Sequence, residues 1–148
     1  MAARLYVQLN FGGNCQEAFE FYAEHLGGRI TAMMRRKDAP APDPGGGSPD
    51  AIIHARMRLG ETDLIGNDVP AERFQPIRSS YLYFSVESAE EAERVFRLLS
   101  EGGQVYMSLE ETFFATRFAM LRDRFGVAWT VISHKPMPGD LANCRGVR

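Results

Sequence analysis

The sequence predicts an α+β fold: two tandem β-α-β-β-β units in one chain, with curved mixed sheets around a cavity. The first observation behind this is a repeat. Residues 3–27, ARLYVQLNFGGNCQEAFEFYAEHLG, and residues 79–103, SSYLYFSVESAEEAERVFRLLSEGG, both run from alternating strand through polar turn and amphipathic helix to a Gly-Gly stop. Two copies of this size indicate a duplicated supersecondary unit, because a solenoid needs three or more repeats. The second observation is a change of period within each copy, from two in the strand to that of a helix. The third is that further strand-like runs follow each Gly-Gly.

In the first strand Leu5, Val7 and Leu9 alternate with Tyr6, Gln8 and Asn10. A helix over 15–26 puts Ala18, Phe19, Tyr22 and Leu26 on one stripe, flanked by Phe21. Asn14 is the predicted N-cap, and Glu17 completes a capping-box pair. Gly27-Gly28 ends the helix, and RITAMMRR supplies the second strand. Residues 38–50 hold four prolines and three consecutive glycines, a composition expected of a mobile loop. AIIHARMRLG and TDLIGND form a hairpin turning at Gly60-Glu61. This sets the first unit at 1–70 and a connector at 71–78.

The second unit, 79–135, repeats the order. Leu82, Phe84 and Val86 alternate with Tyr81, Tyr83 and Ser85. Ser88 and Glu91 are the predicted capping pair of a helix over 89–101, whose stripe is Ala92, Val95, Phe96 and Leu99. QVYMSLEET, TRFAMLRD and VAWTVISH supply three strands, and 136–148 is expected to be a disordered tail. Asp123 opens the turn DRFG, where it is expected to bond its own backbone. Asn67-Asp68 is read as turn chemistry in the same way, and the sole tryptophan, Trp129, as core.

Composition narrows the function classes. A length of 148 residues can bury a core without metal or disulfide support. A net charge of −2 offers no global basic field for nucleic acid. No apolar run is long enough to span a membrane, and the N-terminus lacks an apolar signal core, so a cytoplasmic location is expected. Cys15 and Cys144 lack metal-type spacing. Cys15 stands at a helix start, where the dipole lowers a thiol pKa, but it reads first as a small buried residue.

The strand face away from the helices is polar and aromatic. It presents Tyr6, Gln8, Asn10, His54, Arg56, Arg58, Tyr81, Tyr83, Ser85, Tyr106, Ser108 and Glu110. If the sheets curve around each other this face lines a cavity, which the four tyrosines favour, since tyrosine offers a ligand both area and a hydroxyl. His54 is either an acid/base group or ligand anchor, or a hydrogen-bonded structural histidine. Arg56 and Arg58 either bind an anionic substrate or form a solvated face. Of Glu110 and Glu111, one faces the cavity side by alternation. No metal-ligand cluster and no nucleophile elbow is present in the sequence.

The segments LNFGGNCQEAFEFYAEHLGG, HARMRLGETDLIGND, SVESAEEAERVFRLLSEGG and ETFFATRFAMLRDRFGVAW resemble the PhnB-like branch of the vicinal oxygen chelate superfamily, with its glyoxalases, bleomycin-resistance proteins and extradiol dioxygenases. The resemblance covers residues 4–134 in order and departs at Phe114, where the pattern has Trp. It implies a homodimer of glyoxalase/bleomycin-resistance-like fold with a cavity. In catalytic relatives two strands of each unit donate ligands to a divalent metal. The corresponding positions fall near Tyr6 or Val7, Ile65, Tyr81 and Thr130, none a usual ligand, with Asp63 the nearest carboxylate. No cofactor is therefore expected. Some PhnB-like sequences carry a 3-demethylubiquinone methyltransferase label, but no Gly-rich strand-to-helix turn for S-adenosylmethionine is present.

Two functions follow from the resemblance and the residues together. The first is metal-free small-molecule binding by Tyr6, Gln8, His54, Arg56, Tyr81, Tyr83, Tyr106, Glu110 and Phe113, with Phe113 capping the ligand. The alternative is a glyoxalase-like enzyme, a lyase, isomerase or dioxygenase. It would use His54 and Glu110 as acid and base, or a divalent metal rebuilt on His54, Glu110 and Asp63.

Overall fold

The computed structural model describes residues 2–41 and 47–136. Of the tail expected over 136–148, all but Pro136 lies outside the described residues, as does the centre of the Gly/Pro loop. The chain divides into two units, Met1–Pro76 and Ile77–Arg148.

The first unit contains β1 (Val7–Phe11), α1 (Cys15–Leu26), β2 (Arg29–Arg35), β3 (Ile52–Leu59) and β4 (Thr62–Asp68). Its mixed sheet has the order β1-β4-β3-β2, with β1 parallel to β4 and the other pairs antiparallel. The register sets Leu9 beside Gly66 and Gly66 beside Ala55. These positions lie under α1, which buries Cys15, Ala18, Phe19, Tyr22 and Leu26. Gly66 is required by this close approach: a Cβ there would lie 2.6 Å from Phe19 Cζ. The Phe19 ring meets Phe11 edge-on at 6.0 Å.

Three local expectations are corrected. Leu5 precedes β1 and is 94% exposed, so the inward face starts at Val7. Asn14 occupies the N-cap position without a capping bond, because its φ of −122° and ψ of 30° depart from capping geometry. Asp68 does that work from β4. Its carboxylate accepts the Cys15 and Ile52 amides, both at 2.9 Å, which joins the starts of α1 and β3. Asp68 is thus a buried cross-link rather than turn chemistry.

The second unit contains β5 (Leu82–Val86), α2 (Ala89–Ser100), β6 (Gln104–Glu110), β7 (Ala115–Arg122) and β8 (Ala128–His134), in the order β5-β8-β7-β6. Here β5 and β8 are the parallel pair. The Ser88 hydroxyl accepts the Glu91 amide at 3.1 Å, which is one half of the capping box, while the Glu91 carboxylate accepts from Arg94 instead. Ala92, Val95 and Leu99 are buried, while Phe96 is only half-buried. Asp123 holds the β7–β8 turn: it accepts the Phe125 and Val127 amides and the Trp129 indole N–H, all at 2.9 Å.

The polar faces depend on one further detail. Strand β6 carries register shifts on both sides of Met107. Simple alternation from Tyr106 through Ser108 therefore fails. Met107 pairs with Met120 and Glu110 with Phe118, so Met107 joins the face that Ser108 was expected to occupy.

Two predictions follow from this packing. Ser88→Ala should lower stability by about 1 kcal/mol, whereas Asn14→Ala should cost far less, as measured by urea unfolding. Burial, reinforced by the Asp68 carboxylate, pushes the Cys15 thiol well above its ordinary range. Cys15 should therefore resist iodoacetamide at pH 8 in the native chain and react on unfolding, read by peptide-resolved mass spectrometry.

Candidate functional site

In the first unit the sheet face opposite α1 is polar. Its rows follow the register: Arg29, Arg58 and Asp63 lie side by side, and Ala32, Arg56, Ile65 and Gln8 form the next row. Asp63 is the carboxylate of this face, and both its oxygens are engaged. Arg56 donates through Nε and Nη2 to Oδ2 at 3.2 and 2.6 Å, and Arg58 Nη1 donates to Oδ1 at 3.2 Å. The Arg56 guanidinium, helped by Arg58, holds the Asp63 carboxyl below its ordinary range.

Tyr6 joins this cluster from the segment before β1, with the Arg56 guanidinium 4.8 Å from its ring centroid. Hydrogen bonds from Arg4 and Arg56 lower the phenol pKa. Gln8 Nε2 donates to Asn67 Oδ1 at 2.9 Å. His54 lies opposite Met34 on this face, exposed, with no side-chain hydrogen bond or ion pair among the described residues.

In the second unit the corresponding face carries Tyr83 beside Thr130, and Ser85 beside Ile132. Tyr81 and Tyr106 meet edge-on at 6.4 Å. Arg78 packs over the Tyr106 ring at 4.5 Å and donates to the Tyr81 hydroxyl at 3.4 Å. The Tyr106 hydroxyl is buried without a hydrogen-bond partner among the described residues. Tyr83 Oη lies 3.4 Å from His134 Nε2, and burial raises its pKa.

The two adjacent glutamates diverge. Glu110 takes the sheet face opposite Phe118, whereas Glu111 pairs with Lys135 at 2.6 Å, which lowers its pKa. Phe113 is 83% exposed at the end of a ladder of edge-on rings, 5.0 Å from Phe114, itself 5.3 Å from Phe118.

The expected site residues thus fall into two groups. Tyr6, Gln8, His54 and Arg56 share the face of the first unit. Tyr81, Tyr83, Tyr106 and Glu110 belong to that of the second, with Phe113 beyond its rim. Sequence reasoning named Asp63 but missed its pairing with Arg56 and Arg58, and it passed over Arg78. The Asp63 clamp was available from the hairpin, since a turn at Gly60-Glu61 sets Arg58 opposite Asp63. Arg78 was hidden in the connector.

A cavity of about 270 Å³ also opens at the start of α1, lined by residues that include Asn14, Gln16, Glu17, Arg35, Asp50 and Asp68. It shares no residue with the polar face. Arg35 spans it to the Gln16 side-chain oxygen and the Asp50 carbonyl.

The donors on these faces do not fit a divalent metal. Among the described residues no group of three or more His, Cys, Asp or Glu side chains could hold an ion. Asp63 is committed to two guanidinium groups, whose charge opposes a second cation. The positions that the resemblance gives for ligands hold Ile65 beside Gln8 and Thr130 beside Tyr83.

Comparison with known proteins agrees with this architecture. Residues 3–132 match the family described as 3-demethylubiquinone-9 3-methyltransferase. Protein PA1353 from Pseudomonas aeruginosa is 40% identical, with a TM-score of 0.80 over 91% of this chain and all of that one. A PhnB protein from Bacillus cereus, described with the same methyltransferase name, is 26% identical with a TM-score of 0.75 over 88% of this chain and 99% of its own. A glyoxylase/bleomycin resistance protein/dioxygenase domain from Frankia sp. EAN1pec shares the fold at 18% identity, with a TM-score of 0.61 over 91% of this chain and 99% of its own. With its duplicated β-α-β-β-β units, the chain has the fold of the glyoxylase/bleomycin resistance protein/dioxygenase domain, is similar to the PhnB protein, and belongs to the family described as 3-demethylubiquinone-9 3-methyltransferase.

Proposed function

We propose that this chain is a small-molecule binding protein that works without a bound metal, through the polar and aromatic sheet faces of its units. The observation that carries this reading is the Asp63 clamp: the carboxylate nearest an expected ligand position is neutralised by Arg56 and Arg58. Tyr6, Gln8, His54 and Arg56 then supply contacts in the first unit, and Tyr81, Tyr83, Tyr106, Glu110 and Phe113 in the second. Tyrosine suits this role because its ring gives area and its hydroxyl gives direction. The unpartnered Tyr106 hydroxyl supports it further, since a buried hydroxyl gains from any ligand able to bond it. The protein acts as a cytoplasmic homodimer; edge strands β2 and β6, with exposed Met34, Val105 and Met107, support the dimer.

A second reading is an acid–base enzyme using His54 and Glu110. Its support is that both side chains are exposed and, among the described residues, take part in no ion pair.

Metal analysis of untagged protein, purified without chelator, tests the first reading. Less than about a tenth of an equivalent per chain is expected, unchanged after incubation with zinc, nickel, manganese or iron. Near-stoichiometric metal that is lost in Asp63→Asn or His54→Ala would sink it. Once a ligand is found by thermal shift, His54→Ala separates the two readings. A binding protein loses affinity by no more than about tenfold, whereas an enzyme keeps binding and loses turnover.

A further inference from the structure

Positive charge gathers on the first unit's polar face although the whole chain carries a net charge of −2. In the register of β2 and β3, Arg29 stands directly opposite Arg58. Cross-strand neighbours of like charge repel, and such pairs are avoided where nothing compensates them. The one nearby compensation is Asp63, and it is spent on Arg56 and Arg58. Arg29 has no ion-pair partner among the described residues and is exposed. The Arg58 side chain is 49% exposed and commits a single nitrogen to Asp63, which leaves its other donors open. Arg4 adds a further guanidinium beside the Tyr6 phenol, whose pKa is lowered by hydrogen bonds from Arg4 and Arg56.

We infer that the Arg29–Arg58 pair is an anion-binding site, selecting small organic ligands that carry a carboxylate or phosphoryl group. An oxyanion between the two guanidinium groups would turn a repulsive pair into a bridged one. Its oxygens would accept N–H donors from both sides, the geometry at which arginine excels. The Tyr6 ring, already packed against Arg56, offers an apolar surface to the rest of such a ligand. This assignment rests on the binding role proposed above and names the ligand class for the first unit's face.

The test is a titration of the ¹⁵N-labelled full chain with inorganic phosphate and, separately, with citrate, at constant ionic strength. Saturable shifts of the Arg29 and Arg58 resonances are expected. A response to phosphate alone assigns a phosphoryl ligand, and one to citrate alone a carboxylate. Arg29→Gln should weaken binding at least about tenfold, the effect of losing a charge-assisted fork.

Arg29→Glu provides a second, opposite readout. It replaces repulsion with a cross-strand ion pair, so the free protein should melt about 2 °C higher while anion binding is lost. The assignment is overturned if neither anion saturates, or if Arg29→Glu binds phosphate and citrate as wild type does. Binding of neutral or cationic compounds that depends on Tyr6 and Gln8 but not on Arg29 would overturn the anion site while leaving the binding role intact. Failure of every ligand class would remove both.

Discussion

Each unit rests on a buried carboxylate that accepts several hydrogen bonds at once. Asp68 takes the first amide of α1 and the first amide of β3, and Asp123 takes two amides of its turn and the Trp129 indole. A buried amide without a partner costs about 1–3 kcal/mol, so one side chain that satisfies several decides where the strands and helix begin. With α1 anchored by Asp68, its stripe must lie across Leu9, Gly66 and Ala55. The opposite face of the sheet is then left free of helix, and the polar residues of β1, β3 and β4 collect there.

That face has become a place for guanidinium groups rather than for metal ligands. A lone carboxylate among arginines is held ionised and engaged, and the electrostatics of the cluster favour an incoming anion over a cation. The second unit uses the equivalent face differently, through tyrosines, an arginine stacked on a ring and an imidazole within reach of a phenol. The duplication therefore conserves architecture while the chemistry of its two exposed faces has diverged, as expected when function lives in side chains grafted on a shared frame.

Much of the fold was legible in the residues. The repeat, the two stripes, the Gly-Gly stops and the hairpin at Gly60-Glu61 predicted the eight strands and two α-helices of the described residues, though not the short 3-10 turns at Arg36–Asp38 and Ala71–Arg73. The departures have local causes. Leu5 continued an alternation that the strand itself did not, because pairing with β4 begins at Val7. Asn14 had the right residue type for a cap but lost the role to Asp68, a carboxylate 53 positions beyond Cys15 in sequence. Ser108 was placed by counting in twos, and the irregularities around Met107 shift that count.

By itself the sequence determined what depends on neighbours along the chain: element type, the amphipathic faces, the Ser88 cap and the candidate residues on each strand. Periodicity and capping are short-range properties, set within a turn or a few strand positions. Only the tertiary structure decided which of those residues meet. It placed Arg29 against Arg58, brought Arg78 onto Tyr106 and joined Tyr83 to His134. These encounters depend on strand order, register and bulges, and those are settled by how whole elements pack rather than by any stretch of sequence read alone.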